Sequence, residues 1–179
     1  LMSRLVITGA SILNQATADI VIDSGKIVEV AKPGAADTFG ARVIDAAGLI
    51  ALPGFVDLHT HLREPGREDA ETVESGTRAA ALGGFTCVHA MANTEPVADT
   101  AGVVEQVWRL GKEAGWCEVR PIGAVTVGLA GTHMAELGAM AASAAQVRLF
   151  SDDGKCVDDA VIMRRALEYV KAFDGAIAQ

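Results

Sequence analysis

Two histidines one residue apart, His59 and His61, carry the first chemistry legible in this chain, and Arg63 follows at the same spacing. The apolar run Phe55, Val56 and Leu58 predicts a buried strand, which Pro65-Gly66 stops. Side chains two apart on a strand share a face, so both imidazoles aim at one spot at the strand's C-terminal end. Neutral imidazoles on a rigid backbone suit zinc, a borderline-soft ion that favours nitrogen ligands. Arg63 continues the same parity where strand gives way to loop, and it offers a forked, permanently charged donor to a carboxylate. An HxH pair alone is a weak signal. A strand position, Asp57 before the pair and Arg-x-Pro-Gly after it strengthen the metal reading.

The elements that must hold these residues alternate between strand and helix. Strands are expected at 55–61, 86–91, 119–126 and 147–150, and another begins at Ala176-Ile177-Ala178. Val103, Val104, Val107 and Trp108 make one helical stripe; Ile162, Ala166, Val170 and Phe173 make another. Met134, Leu137 and Met140 read as a third core stripe. Asp158 is the expected N-cap of the last helix, and Gly83-Gly84 ends an earlier one. Strands recurring at roughly thirty-residue intervals imply βα units with right-handed crossovers, hence a parallel sheet. That spacing fits an open doubly wound sheet and a barrel equally. No GxGxxG follows a strand, which removes the usual dinucleotide site.

Residues 1–50 have a different texture. Leu5-Val6-Ile7, Ala18 to Asp23, Lys26 to Val30 and Val43-Ile44-Asp45 are short β-rich runs, and Ser24-Gly25 signals a hairpin. A small antiparallel β domain is therefore expected at 1–50, with the site-bearing domain at 51–179. The chain is 50% hydrophobic, enough for a substantial core, and its net charge of -8 argues against nucleic acid or an anionic membrane as partner. Local positive groups such as Arg63 keep an anionic substrate open. Cys87, Cys117 and Cys156 lie far apart without CxxC spacing, which fits buried free thiols in a reducing compartment rather than a disulfide frame. Leu1 ahead of Met2 reads as a residue added before the natural start. No signal peptide is expected, and no run approaches the roughly 18 apolar residues of a membrane span, so a cytoplasmic location is expected.

The stretch Asp57-Leu58-His59-Thr60-His61-Leu62-Arg63-Glu64-Pro65-Gly66 resembles the signature of dihydroorotases, class I type, in the amidohydrolase superfamily. Met91-Ala92-Asn93-Thr94-Glu95-Pro96 and Phe150-Ser151-Asp152-Asp153-Gly154 match further family motifs in the same order. The resemblance implies a (β/α)8 TIM-type barrel. The 125 residues from Phe55 onward would supply about half of the roughly 250 that such a barrel needs. It implies one or two zinc ions on His59, His61 and Asp153, with Asp153 also a bridging and catalytic carboxylate. It implies that Arg63 and Asn93 clamp a substrate carboxylate. The implied reaction interconverts N-carbamoyl-L-aspartate and dihydroorotate, through a zinc-activated water that attacks a cyclic amide carbonyl. Further histidine ligands and a general acid/base aspartate would come from later strands, so this chain by itself is expected to be inactive.

Other readings stand beside these. Asp152-Asp153-Gly154 alone suits a turn, with Asp152 free to cap or orient a neighbour, and Asn93-Thr94-Glu95-Pro96 suits an Asx-turn. Cys156 lies near Asp153 but reads better as a core-packing residue or a loop thiol. His89 reads as a hydrogen-bonded core residue and His133 as a surface one. Within the superfamily, a hydantoinase- or allantoinase-like cyclic amidase is the runner-up. Those relatives carry a carboxylated lysine where this chain has Asp153. A non-catalytic domain scaffolding aspartate carbamoyltransferase is the remaining alternative. A homo-oligomer and an association with that transcarbamoylase are the expected protein partners.

Overall fold

The computed structural model describes residues 4–179, so the reading of Leu1 and Met2 falls outside the described residues. The chain divides into two compact units, Leu1–Pro53 and Gly54–Gln179.

The first unit is a five-stranded sheet of β1 (Leu5–Ile12), β2 (Thr17–Asp23), β3 (Lys26–Ala31), β4 (Arg42–Asp45) and β5 (Ile50–Ala51). Its order is β3-β2-β1-β4, with β5 also on β1. Ser24 and Gly25 both take left-handed backbone (φ 51° and 77°), which turns β2 tightly into β3. The sheet is mixed rather than antiparallel throughout: β1 runs antiparallel to β2 but parallel to β4 and β5. The connection over residues 32–41 is long enough to return the chain beside β1 in the parallel sense. Asp19 is buried among Val6, Ala18, Ile20 and Val21. Its carboxylate accepts the backbone N–H of Gly9 (2.9 Å), Gly34 (2.8 Å) and Ala36 (3.4 Å). One side chain thereby ties the irregularity in β1 to the loop after β3.

The second unit alternates strand and helix. In order come β6 (Phe55–Thr60), α1 (Val73–Leu82), β7 (Phe85–Ala90), α2 (Ala101–Ala114) and β8 (Glu118–Pro121). Then follow α3 (Leu137–Ala142), β9 (Leu149–Phe150), α4 (Ala160–Val170) and β10 (Ala176–Ile177). β6, β7 and β8 form one parallel sheet, and β9 and β10 another. An isolated parallel bridge between Gly123 and Phe150 links the backbone after β8 to β9. The unit is thus a mixed α/β arrangement with small parallel sheets.

Its main core gathers Val104 from α2, Leu137 and Met140 from α3, Val147, Phe150, and Ala166 and Val170 from α4. Helix starts are locally encoded. Thr72 and Ser75 cap α1 reciprocally, and the Glu64 carboxylate adds a bond from Val73 N–H at 2.8 Å. Asp159, rather than Asp158, caps α4, because the helix begins at Ala160 and only Asp159 reaches the N–H groups of Val161 and Ile162.

Two strands of the second unit differ from the sequence expectation. Phe55, Val56 and Leu58 are 53%, 54% and 61% exposed, so β6 is an edge strand rather than a buried one. Among the described residues it pairs with β7 alone. The strand expected at 119–126 stops at Pro121, because the N–H groups of Val125 and Thr126 bond to the Asp152 side chain instead of a ladder. Among the described residues no helix is long and apolar enough to cross a membrane.

Candidate metal centre

β6 delivers His59 as its penultimate residue, and His61 stands immediately beyond its end. The Asp57 carboxylate accepts the His59 backbone N–H at 3.0 Å, which holds the strand end in shape. The imidazoles pack edge to face, 5.2 Å between centroids.

Asp153 reaches them from the far side, three residues after β9. Its placement depends on its neighbour. Asp152 is buried, and its carboxylate accepts the N–H of Val125 at 2.8 Å and of Thr126 at 3.0 Å, together with the Thr126 hydroxyl. With that backbone fixed, Asp153 points at the histidines: Oδ1 lies 3.2 Å from His59 Nε2, and Oδ2 lies 3.5 Å from His61 Nε2. One ligand atom from each of the three residues lies within 4.8 Å of the other two. The His59 side chain is 56% exposed against 20% for Asp153, so the cluster opens to solvent on the His59 side. Leu58, Met91, Lys155 and Cys156 share the cavity lined by His59 and Asp153.

Asn93 joins the cluster in an unforeseen way. Its Oδ1 lies 3.0 Å from His61 Nδ1, and its Nδ2 donates to Asp153 Oδ2 at 3.3 Å. The side chain faces two candidate ligands, not its own backbone as an Asx-turn would require. Arg63 departs from the strand parity assumed for it. β6 ends at Thr60, and Arg63 itself takes left-handed backbone, φ 59°, at the start of the loop. That loop is laced to the one bearing Asn93, because Glu95 N–H donates to Pro65 C=O at 2.9 Å. Gly66 fits where a Cβ would lie 2.5 Å from Glu95 Cβ.

The remaining candidates stay apart. His89 is half-buried, with Nδ1 3.2 Å from the Asp57 carbonyl oxygen, and His133 is exposed beside Thr132. Cys156 is exposed and lies outside the three-residue donor set. What sequence reasoning missed is that Asn93 binds the cluster and that Thr126 helps hold Asp152. Neither was signalled, since both contacts join residues far apart in the chain.

A family model described as dihydro-orotase-like matches residues 48–179. A dihydroorotase of Streptomyces coelicolor is 66% identical over 178 residues, covering 99% of this chain and 41% of that protein. One from Leifsonia xyli is 67% identical over 174 residues, covering 97% and 39%, and one from Mycobacterium tuberculosis is 58% identical over 161 residues, covering 90% and 37%. The chain spans about two fifths of the length of these curated relatives. Among solved structures, an L-hydantoinase (dihydropyrimidinase) from Arthrobacter aurescens superposes with a TM-score of 0.81 at 19% identity, over 98% of this chain and 40% of that one. A dihydropyrimidinase from Brevibacillus agri gives 0.69 at 22%, over 97% and 39%. At such identities the likeness speaks for the fold alone.

Proposed function

The chain belongs to the dihydro-orotase-like family, and from that premise we propose that it forms the metal-binding portion of a zinc-dependent dihydroorotase. The enzyme would interconvert N-carbamoyl-L-aspartate and dihydroorotate in de novo pyrimidine biosynthesis. Residues 51–179 would make about half of a (β/α)8 barrel, preceded by the β domain of residues 1–50. The observation that carries this reading is the convergence of His59, His61 and Asp153 at the C-terminal ends of β6 and β9. Barrel enzymes assemble their sites at that rim. The exposed Phe55, Val56 and Leu58 support a β6 that further polypeptide covers.

The donor set suits the ion. Two imidazole nitrogens and a carboxylate are ligands that zinc accepts, and the two Asp153 oxygens face different histidines. When bound, the ion polarises a carbonyl and lowers the pKa of water toward neutrality. This chain's residues bind and orient. Arg63 would grip the substrate carboxylate through its fork, and Asn93 would add a neutral donor that sets the ring's direction. In hydrolysis, water adds to the cyclic amide carbonyl, the C–N bond breaks and the ring nitrogen takes up a proton. The group that moves this proton, with the remaining ligands, would come from polypeptide beyond these residues. Cytoplasmic location, homo-oligomerisation and association with aspartate carbamoyltransferase are part of the same proposal.

The test pairs metal binding with turnover. The 179-residue chain should bind zinc, and H59A, H61A and D153A should each weaken binding. A polypeptide extended to the relatives' length should hydrolyse dihydroorotate in preference to hydantoin, dihydrouracil and allantoin. Full-rate hydrolysis by the 179-residue chain alone would refute the divided site, and preference for hydantoin would favour the cyclic-amidase alternative.

A further inference from the structure

Asn93 touches two of the three candidate ligands, and its chemistry allows only one arrangement. An amide side chain has one oxygen that accepts and one nitrogen that donates. The group 3.3 Å from one end of Asn93 is the Asp153 carboxylate, which accepts only, so that end is Nδ2. Reversing the amide would set two oxygens against each other. The other end is therefore Oδ1, and the His61 Nδ1 atom 3.0 Å away must carry the hydrogen. A neutral imidazole bears one N–H, which leaves His61 Nε2 bare and facing Asp153 across the cluster at 3.5 Å.

We propose that Asn93 is a positioning residue that fixes His61 as the Nδ1–H tautomer and steadies Asp153, so that His61 Nε2 and an Asp153 oxygen meet one cation. This rests on reading the cluster as a metal site. The backbone flanking Asn93 is tied on both sides: Met91 N–H donates to Thr60 C=O at 2.9 Å, Ala98 N–H to Ala92 C=O at 3.0 Å, and Glu95 N–H to Pro65 C=O at 2.9 Å. Nδ2 has two hydrogens and spends one on Asp153. The second remains for a substrate carboxylate, so the positioning role and the clamp role are compatible. A partner on the distal nitrogen of a metal-binding imidazole sets its tautomer and raises its basicity, and losing such a partner costs about 10–100-fold in metal affinity.

The experiment reads the imidazole nitrogens directly. The full chain, labelled with ¹⁵N, is examined at a pH where histidines are neutral, with and without zinc, as wild type, Asn93→Asp and Asn93→Leu. In wild type, His61 should show a protonated Nδ1 and a pyridine-like Nε2 that zinc then shifts. Asn93→Asp retains the acceptor facing His61 and should keep that tautomer, while it replaces the donor facing Asp153 with an oxygen and so should loosen Asp153 alone. Asn93→Leu should give mixed tautomers and about 10–100-fold weaker zinc binding. A merely structural asparagine would affect both variants alike. A bare Nδ1 in wild type, or unchanged His61 shifts in Asn93→Leu, overturns the proposal; the wild-type reading stands even if the leucine variant does not fold. Unchanged zinc affinity in H61A and D153A would instead overturn the metal reading itself, and with it the use assigned to Asn93.

Discussion

Asp152 and Asp153 are adjacent in the chain but do unlike work. The first is buried and gathers three donors from the segment after β8; the second stands open at the metal cluster. Removing Asp152 strands two buried N–H groups and a hydroxyl, and each unsatisfied group costs about 1–3 kcal/mol. D152A should therefore lose at least about 2 kcal/mol in urea unfolding, with or without zinc. D153A should unfold near the wild-type midpoint without metal yet lose the stabilisation that zinc gives the wild type. Equal behaviour of the two variants would show that the division of labour is wrong. The family motif pointed to Asp153, but Asp152 was open between cap and orienter. Its partners lie 26 and 27 residues away, beyond any local pattern.

Helix α2 shows how closely the elements must approach to bring strand ends to one rim. Gly111 is buried on the face toward β8, and a Cβ there would lie 2.5 Å from Val119 Cβ. Alanine gains about 1 kcal/mol over glycine in a helix, whereas overpacking a filled core costs about 1–3 kcal/mol. G111A should be destabilising on balance. In a V119G background, which removes the Val119 Cβ as well as both methyls, the obstruction is gone and the same change should turn stabilising, an inversion that a double-mutant cycle in urea would register. If G111A stabilises the wild-type background, the close approach is not real. The elements themselves were largely legible, since β6, β7 and β10 fall within a residue or so of the sequence reading. β8 and β9 came out short because side-chain acceptors and loop bridges took over backbone groups that strand propensity assigned to ladders. Arg63 escaped its parity for a related reason: a strand rule fails at the first left-handed residue.

For the molecule as a whole, alternating βα texture and the β-rich first fifty residues were readable in advance, but burial was not. Whether Phe55, Val56 and Leu58 are covered depends on what lies against β6, and apolarity says only that covering them would be favourable. Each unit also has its own buried carboxylate, and Asp19 gives the first unit a calculable response to acid. Backbone donation, from Gly9 above all, holds its carboxyl below the ordinary value of 3.8 against the opposing push of burial. The unfolded chain thus takes up that proton more readily than the folded one. The contribution of Asp19 is present in full above the unfolded value and is lost as pH falls through the lower folded one. The Gly9, Gly34 and Ala36 amides that donate to Asp19 should be protected from hydrogen exchange at neutral pH. D19N should strip much of that protection at neutral pH, and the gap between wild type and D19N should narrow as pH drops below 3.8. A gap that stays constant through that range would mean the carboxylate's charge contributes nothing, and that the loop after β3 is held by shape alone.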